Sequence, residues 1–350
     1  MTTPSLPIPE DLTEVLVPPL LRGIFPVPIH ELEAFVARQN PVPLLPRPQV
    51  IDAATGEVVP TFETANDSFS VLQFNMLADG LGLDSFVRVA EAKLAWEKRK
   101  WHILLLIARA NADLVCVEEC NHPLWLGMWM SKLGYGYTFL PKARSPCRDF
   151  GFPDDGVAVF YKHWVFYPDV THKADFGMVQ ELRFLHSRPT TQPRYVVLAV
   201  CHLKAKEGAE NDQRRDQQFT DIQSKITLAR QNIQATHAGH SPPPQIAVVW
   251  AGDFNSPPSG AVCARMRAEL PWFSSAYSPE QAPYTTWKVR EHGEVRHTID
   301  YIWYEHAHLV PRRLLAIPPL EAAQPDGYPN ENYPSDHMAI GAVFDFLPPV

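Results

Sequence analysis

Cysteine is scarce in this chain and shows no pairing pattern: Cys116, Cys120, Cys147, Cys201 and Cys263 are odd in number, with no Cys-x-x-Cys spacing. That excludes a disulfide framework or a zinc knuckle and reads as reduced thiols in an intracellular protein. No stretch approaches the roughly 18 apolar residues of a membrane span. Positive charge is also short. With a formal net charge of -8, a generalised nucleic-acid surface is not expected, and any anion site must be a local basic pocket. Residues 1–40 carry more acid than base and no apolar run with a basic flank, which disfavours a transit or signal peptide. The cytosol is the expected compartment, and no internal repeat is present.

Proline is plentiful. Residues 1–66 are rich in it, with short apolar runs such as Val15-Leu16-Val17 and Leu44-Leu45. Such a segment cannot build its own core, so it is expected to be an extension that partly wraps the main domain and could recruit a partner. From Phe69 onward the pattern alternates strands with helices, as in an α/β domain. Helical spacing runs over 84–110, 124–133, 211–236 and 261–270. Strands are expected at 69–74, 113–117, 137–140, 156–161, 165–166, 196–202, 246–250, 285–289, 297–303 and 338–346. One catalytic domain over 67–350, with a central pair of sheets faced by helices, fits this order.

Polar residues recur where these buried strands end: Asn75, Glu119, Asp155, His202, Asp253 with Asn255, Asp300, and Ser335-Asp336-His337. A polar group at a buried strand end must be solvated, paired or coordinated. Repeated along successive strands, such groups predict one converging acidic pocket, at the strand ends where open α/β sheets place their chemistry. Oxygen ligands without paired cysteines select Mg²⁺ or Mn²⁺. Carboxylates with two histidines suit attack of water on a phosphate ester. Glu118 and Glu119 pose a choice: alternation sends one into the site and the other elsewhere, and periodicity does not pick between them.

A basic group accompanies the acidic one: Lys142 and Arg144, Lys204 and Lys206, Arg214 and Arg215, Lys288 and Arg290. Beside an acidic metal site these are expected to grip substrate phosphates. Tyr284 and Trp287 are candidates either for stacking on a base or for filling core.

Asn75, Glu119, the run Cys201 to Lys206, Gly252-Asp253-Phe254-Asn255 and Pro334-Ser335-Asp336-His337 resemble the endonuclease/exonuclease/phosphatase superfamily. Pro141 to Cys147, Thr286 to Arg290 and Arg296 to Tyr304 resemble its nocturnin-like branch, which is related to the carbon-catabolite-repressor-type deadenylases. The resemblance spans about residues 70–347. It implies a DNase-I-like four-layer α/β sandwich and Mg²⁺-dependent phosphoester hydrolysis. It also implies Glu119 as metal ligand with Asn75 and Asp336 beside the metal. Asp253 and Asn255, supported by Asp300, would orient water and phosphate, and His202 and His337 would stabilise the transition state. Lys142, Lys204, Lys206 and Arg290 would hold substrate phosphates, with Asp155 among the substrate-site residues. There are departures: Glu118 stands where relatives usually carry Gln, and Lys206 where the branch has Arg. Arg214-Arg215-Asp216-Gln217 is offset by one residue from the family's Arg-x-x-Gln, so Arg214 and Gln217 are carried over.

Two substrates compete for such a site, the 2′-phosphate of NADP(H) and the 3′ end of poly(A) RNA. The net charge of -8 and a compact basic group favour the dinucleotide, because polyanion binding needs a longer basic track. A non-catalytic adaptor would have lost an essential group, and none of those named is missing.

Overall fold

The computed structural model describes residues 25–46, 48–64, 67–82, 86–185, 192–291, 293–322 and 327–348. The run Val15-Leu16-Val17 lies outside the described residues. Among the described residues six α-helices are formed: α1 (Ile29–Gln39), α2 (Glu91–Leu94), α3 (Trp96–Ala110), α4 (Pro123–Lys132), α5 (Ala209–Thr236) and α6 (Ala261–Glu269). The strands are β1 (Val50–Asp52), β2 (Val58–Val59), β3 (Ser68–Asn75), β4 (Leu114–Glu118), β5 (Tyr135–Pro141), β6 (Gly156–Lys162), β7 (Phe166–Ala174) and β8 (Gly177–Phe184). They continue with β9 (Arg194–His202), β10 (Gln245–Asp253), β11 (Phe273–Ser275), β12 (Thr286–Arg290), β13 (Gly293–His297), β14 (Asp300–Glu305), β15 (Leu309–Leu315) and β16 (Ile340–Phe346). One sheet runs β2-β1-β15-β16-β3-β4-β6-β5, the other β11-β14-β10-β9-β8-β7, and β12-β13 is a separate hairpin.

The central strands β3, β4, β9 and β10 are buried on both faces, and parity sorts their side chains into layers. Phe69 and Val71, Val196, Leu198 and Val200, and Ala247, Val249 and Ala251 meet between the sheets. Leu72 and Phe74 face α3 and α4 on one outer side. Val197 and Ala199, with Val248 and Trp250, face α5 and α6 on the other. The result is the expected helix, sheet, sheet, helix sandwich.

Part of the proline-rich segment is built into this domain. Val50–Asp52 pairs antiparallel with Leu315–Arg313 at a sheet edge. From α1, Phe35 stacks on Trp129 at 5.3 Å and meets Trp101 edge-on at 5.5 Å. Elsewhere the local pattern misled. The helix expected over 84–110 is two helices, α2 and α3, separated at Ala95, and residues 84–85 lie outside the described residues. The strand at 165–166 is the start of the β7-β8 hairpin. Trp287 and Tyr284 are core filler, both buried.

Candidate active site

The same parity builds the site. Continuing the series between the sheets from 71 to 75, from 200 to 202 and from 251 to 253 brings Asn75, His202 and Asp253 to the mouth of the interface. β9 and β10 run parallel with His202 opposite Asp253, and β14 lies antiparallel with Asp300 also opposite Asp253. Asn75 Nδ2 donates to Asp253 Oδ2 at 3.1 Å and to Glu119 Oε1 at 3.2 Å. Gly252 permits the close β9-β10 approach: its φ is +145° and a Cβ there would lie 2.1 Å from the Cys201 carbonyl oxygen.

The two glutamates do not divide between the site and elsewhere. Glu118 keeps strand parity and is buried beneath the site, where Gln73 Nε2 donates to its Oε2 at 2.8 Å. Glu119 leaves the strand at φ 56°, a left-handed turn that swings it back toward the mouth. There its Oε2 accepts from the Ala78 N–H at 2.9 Å. The expectation of opposite destinations fails because alternation holds only while the strand continues.

Asp300 is the floor of the site. It accepts from Thr285 Oγ1 at 2.6 Å, from Gln73 Nε2 at 3.1 Å, and from His337 Nδ1 at 2.9 Å. His337 Nε2 then stands 3.9 Å from Asp253 Oδ2. Among the described residues, Asp253, Asp300 and His337 are the group whose donor atoms all lie within 4.8 Å of one another. Asp336 sits beside them with Lys288 Nζ at 3.3 Å and Arg290 at 4.0 Å.

Charge states follow from burial and neighbours. Burial first, then Asp300, pushes Asp253 up to about 7, against the pull of His337 and the Asn255 N–H. Burial works against the His337 charge, but Asp300 and Asp336 outweigh it and push the imidazole up to about 10. Burial followed by Lys142, His337 and Lys288 drives His202 well below its ordinary 6.5. Burial also opposes ionisation of Asp336, yet Lys288, His337 and Arg290 prevail and hold it low. One histidine is therefore cationic and the other neutral.

Several expected grips are differently placed. Lys142 is half-buried, its Nζ 2.5 Å from Asp155 Oδ2 and 3.2 Å from His202 Nδ1. A lysine ammonium only donates, so His202 Nδ1 accepts and the proton sits on Nε2. That Nε2 lies 3.6 Å from Asp253 Oδ2 and 3.9 Å from Glu119 Oε1. Asp155 is fully buried and accepts from Ser145 Oγ at 2.5 Å, so it supports Lys142 and does not face a substrate. The Asn255 side chain donates to the Leu203 carbonyl at 3.0 Å while its N–H caps Asp253 at 2.8 Å, so it braces the turn. Lys204 is half-buried and Lys206 exposed, on the loop after β9. The carried-over Arg214 and Gln217 are both exposed on α5. Arg215 and Gln218 hold that loop instead: Arg215 Nη1 donates to the carbonyls of Lys204 (2.6 Å) and Lys206 (2.9 Å), and Gln218 Oε1 accepts from the Lys204 N–H. Gln73 and Thr285 were missed, although a glutamine inside an apolar strand is itself a signal of a buried polar network.

Carboxylate oxygens of Glu119 and Asp253 converge on the Asn75 side-chain amide at one side of the mouth. Burial first, and then the nearby Asp300 and Glu119 carboxylates, oppose the charge on Asp253. This donor set fits a hard divalent cation. Among the described residues no helix is long and apolar enough to cross a membrane.

Comparison with known proteins agrees with this geometry. Human nocturnin is 33% identical over 299 residues, covering 79% of this chain, which spans 65% of that protein's length. The human nocturnin catalytic domain, solved with bound sulfate, superposes with a TM-score of 0.62 at 29% identity, covering 86% of this chain and 97% of that one. A Ccr4 3′-5′-exoribonuclease subunit from Mycosarcoma maydis is 24% identical, covering 81% of this chain and 51% of its own. The endonuclease/exonuclease/phosphatase family model matches residues 72–337, so the strand ends that assemble the acidic pocket all lie within it. The chain belongs to the endonuclease/exonuclease/phosphatase family.

Proposed function

We propose that this hydrolase acts in the cytoplasm, with Mg²⁺ or Mn²⁺, on the 2′-phosphate of NADP(H), releasing NAD(H) and phosphate. The observation that carries the reading is one pocket in which acidic oxygens face a cationic and a neutral histidine, with Lys288 and Arg290 at Asp336. Glu119, Asn75 and Asp336 would hold the cation. When bound, the cation neutralises phosphate charge and acidifies the attacking water. Asp253, raised to about 7, is suited to accept that water's proton at neutral pH. His337 and the Nε2–H of His202 donate toward the phosphoryl oxygens, and Asp300 keeps His337 charged. Arg290, Lys204 and Lys206 grip the remaining phosphates, while Lys142 acts by orienting His202. The nocturnin relatives and a net charge of -8 support a compact anionic substrate.

The second reading, 3′ exoribonuclease action on poly(A), is supported by the Ccr4 relatives. It uses the same water attack. Phosphate release from NADP(H) and shortening of an oligo(A) RNA, measured side by side with Mg²⁺, separate the two. Phosphate release with intact RNA supports the dinucleotide, and RNA shortening without phosphate release overturns it. Glu119→Ala is expected to lower either activity at least about 100-fold.

A further inference from the structure

Arg99 lies on α3, outside the constellation, yet it is 4% exposed. Its Nη1 donates to the Met76 carbonyl at 3.0 Å and to the Pro334 carbonyl at 3.0 Å, and its Nε donates to the Leu94 carbonyl at 2.6 Å. Met76 directly follows Asn75, and Pro334 precedes Ser335-Asp336-His337. Ser335 Oγ adds a parallel stitch to the Asn75 carbonyl at 2.6 Å. Burial pulls the guanidinium down to about 10, while Asp79, Asp336 and Glu119 act to keep it charged. A guanidinium is the one side chain that offers a rigid fork of donors to several carbonyls at once.

We infer that Arg99 is a positioning residue that fixes the Asn75 loop against the Asp336-His337 loop and so sets the spacing of the cation site. This rests on the proposed metal-dependent reaction. Two amides report on the loops directly: the Leu77 N–H on Asn75 Oδ1 and the His337 N–H on Ser335 Oγ, each 3.1 Å.

The test compares Arg99→Met and Arg99→Lys with Leu104→Ala, a buried α3 residue in the same core, as a control for lost stability. Arg99→Met should exchange the Leu77 and His337 amides at least about tenfold faster than the control, and should bind Mn²⁺ about tenfold more weakly by calorimetry. Arg99→Lys should lie between it and wild type. Wild-type protection at both amides overturns the inference. So does tighter Mn²⁺ binding, which would mark Arg99 as a countercharge that competes with the cation. If Arg99→Met does not fold, wild-type exchange and affinity in Arg99→Lys overturn it as well. A wild-type protein without phosphoesterase activity defeats the proposed reaction, while the exchange readout still decides the role of Arg99.

Discussion

Glu118→Gln should stabilise the protein, and by an amount that grows with pH. Glu118 is 0% exposed, and burial, then Asp300 and Asp253, raise its carboxyl well above the ordinary 4.5, against the hydrogen bond from Gln73. A carboxyl whose folded value is raised contributes fully below its unfolded value and loses that contribution as pH rises through the folded value. The unfolded chain releases the proton first, so each pH unit in that window costs about 1.4 kcal/mol. Glutamine removes the titration, matches the neutral acid in shape and keeps an acceptor for Gln73 Nε2. The difference between variant and wild type should be near zero at pH 4.5. It should then climb by about 1.4 kcal/mol per pH unit, or roughly 3 kcal/mol over two units, until Glu118 ionises in the folded protein. Asp253 titrates in both proteins with the same sign and largely cancels. Urea unfolding at a series of pH values, with chelator present, measures the difference. A gap independent of pH, or a variant less stable at pH 8 than at pH 5 relative to wild type, would refute a neutral buried Glu118.

Arg215→Met should destabilise by about 1–3 kcal/mol for each carbonyl left unpaired. Because the loop it frees carries Lys204 and Lys206, it should raise KM more than it lowers kcat. Equal change in both constants would show that the loop does not position those lysines. Phe35→Ala removes a ring packed between Trp101 and Trp129 and should cost about 3–5 kcal/mol in urea unfolding. A loss below about 1 kcal/mol would mean that α1 is dispensable to the domain.

The layers were legible because strands that are apolar on both faces, alternating with helices, have few other solutions. Asn75, His202 and Asp253 were legible for the same reason: each ends a strand on the parity that faces the second sheet. The glutamate pair was not, since a positive φ at Glu119 is a property of the turn and overrides alternation. Lys142 was read as a substrate grip because sequence shows charge but not its partner; Asp155, thirteen residues on, claims its ammonium. The offset in Arg214-Arg215-Asp216-Gln217 came from choosing exposed members of a helix whose buried stripe carries Arg215 and Gln218. The β7-β8 edge hairpin eluded reading because its first strand is only partly buried and bears Pro168 and a register shift. In the proline-rich segment the anchoring signal was sparse. Phe35 finds its ring partners, Trp101 and Trp129, far along the chain.

Docking of α1 places it over an unusual concentration of indoles. Trp96, Trp101, Trp125 and Trp129 contact one another edge-on or tilted within 6.2 Å, and the Trp96 ring lies flat on His122 at 4.2 Å. They are four of the nine tryptophans in the chain. Energy absorbed by any of them can migrate within the patch before it is emitted. The intrinsic fluorescence of the protein is therefore expected to include a large share from the surface that α1 covers, on the opposite side of the β3 sheet from the inter-sheet core. Emission wavelength and anisotropy are then expected to follow attachment of α1, so that an optical melting curve can report its departure separately from unfolding of the sheets.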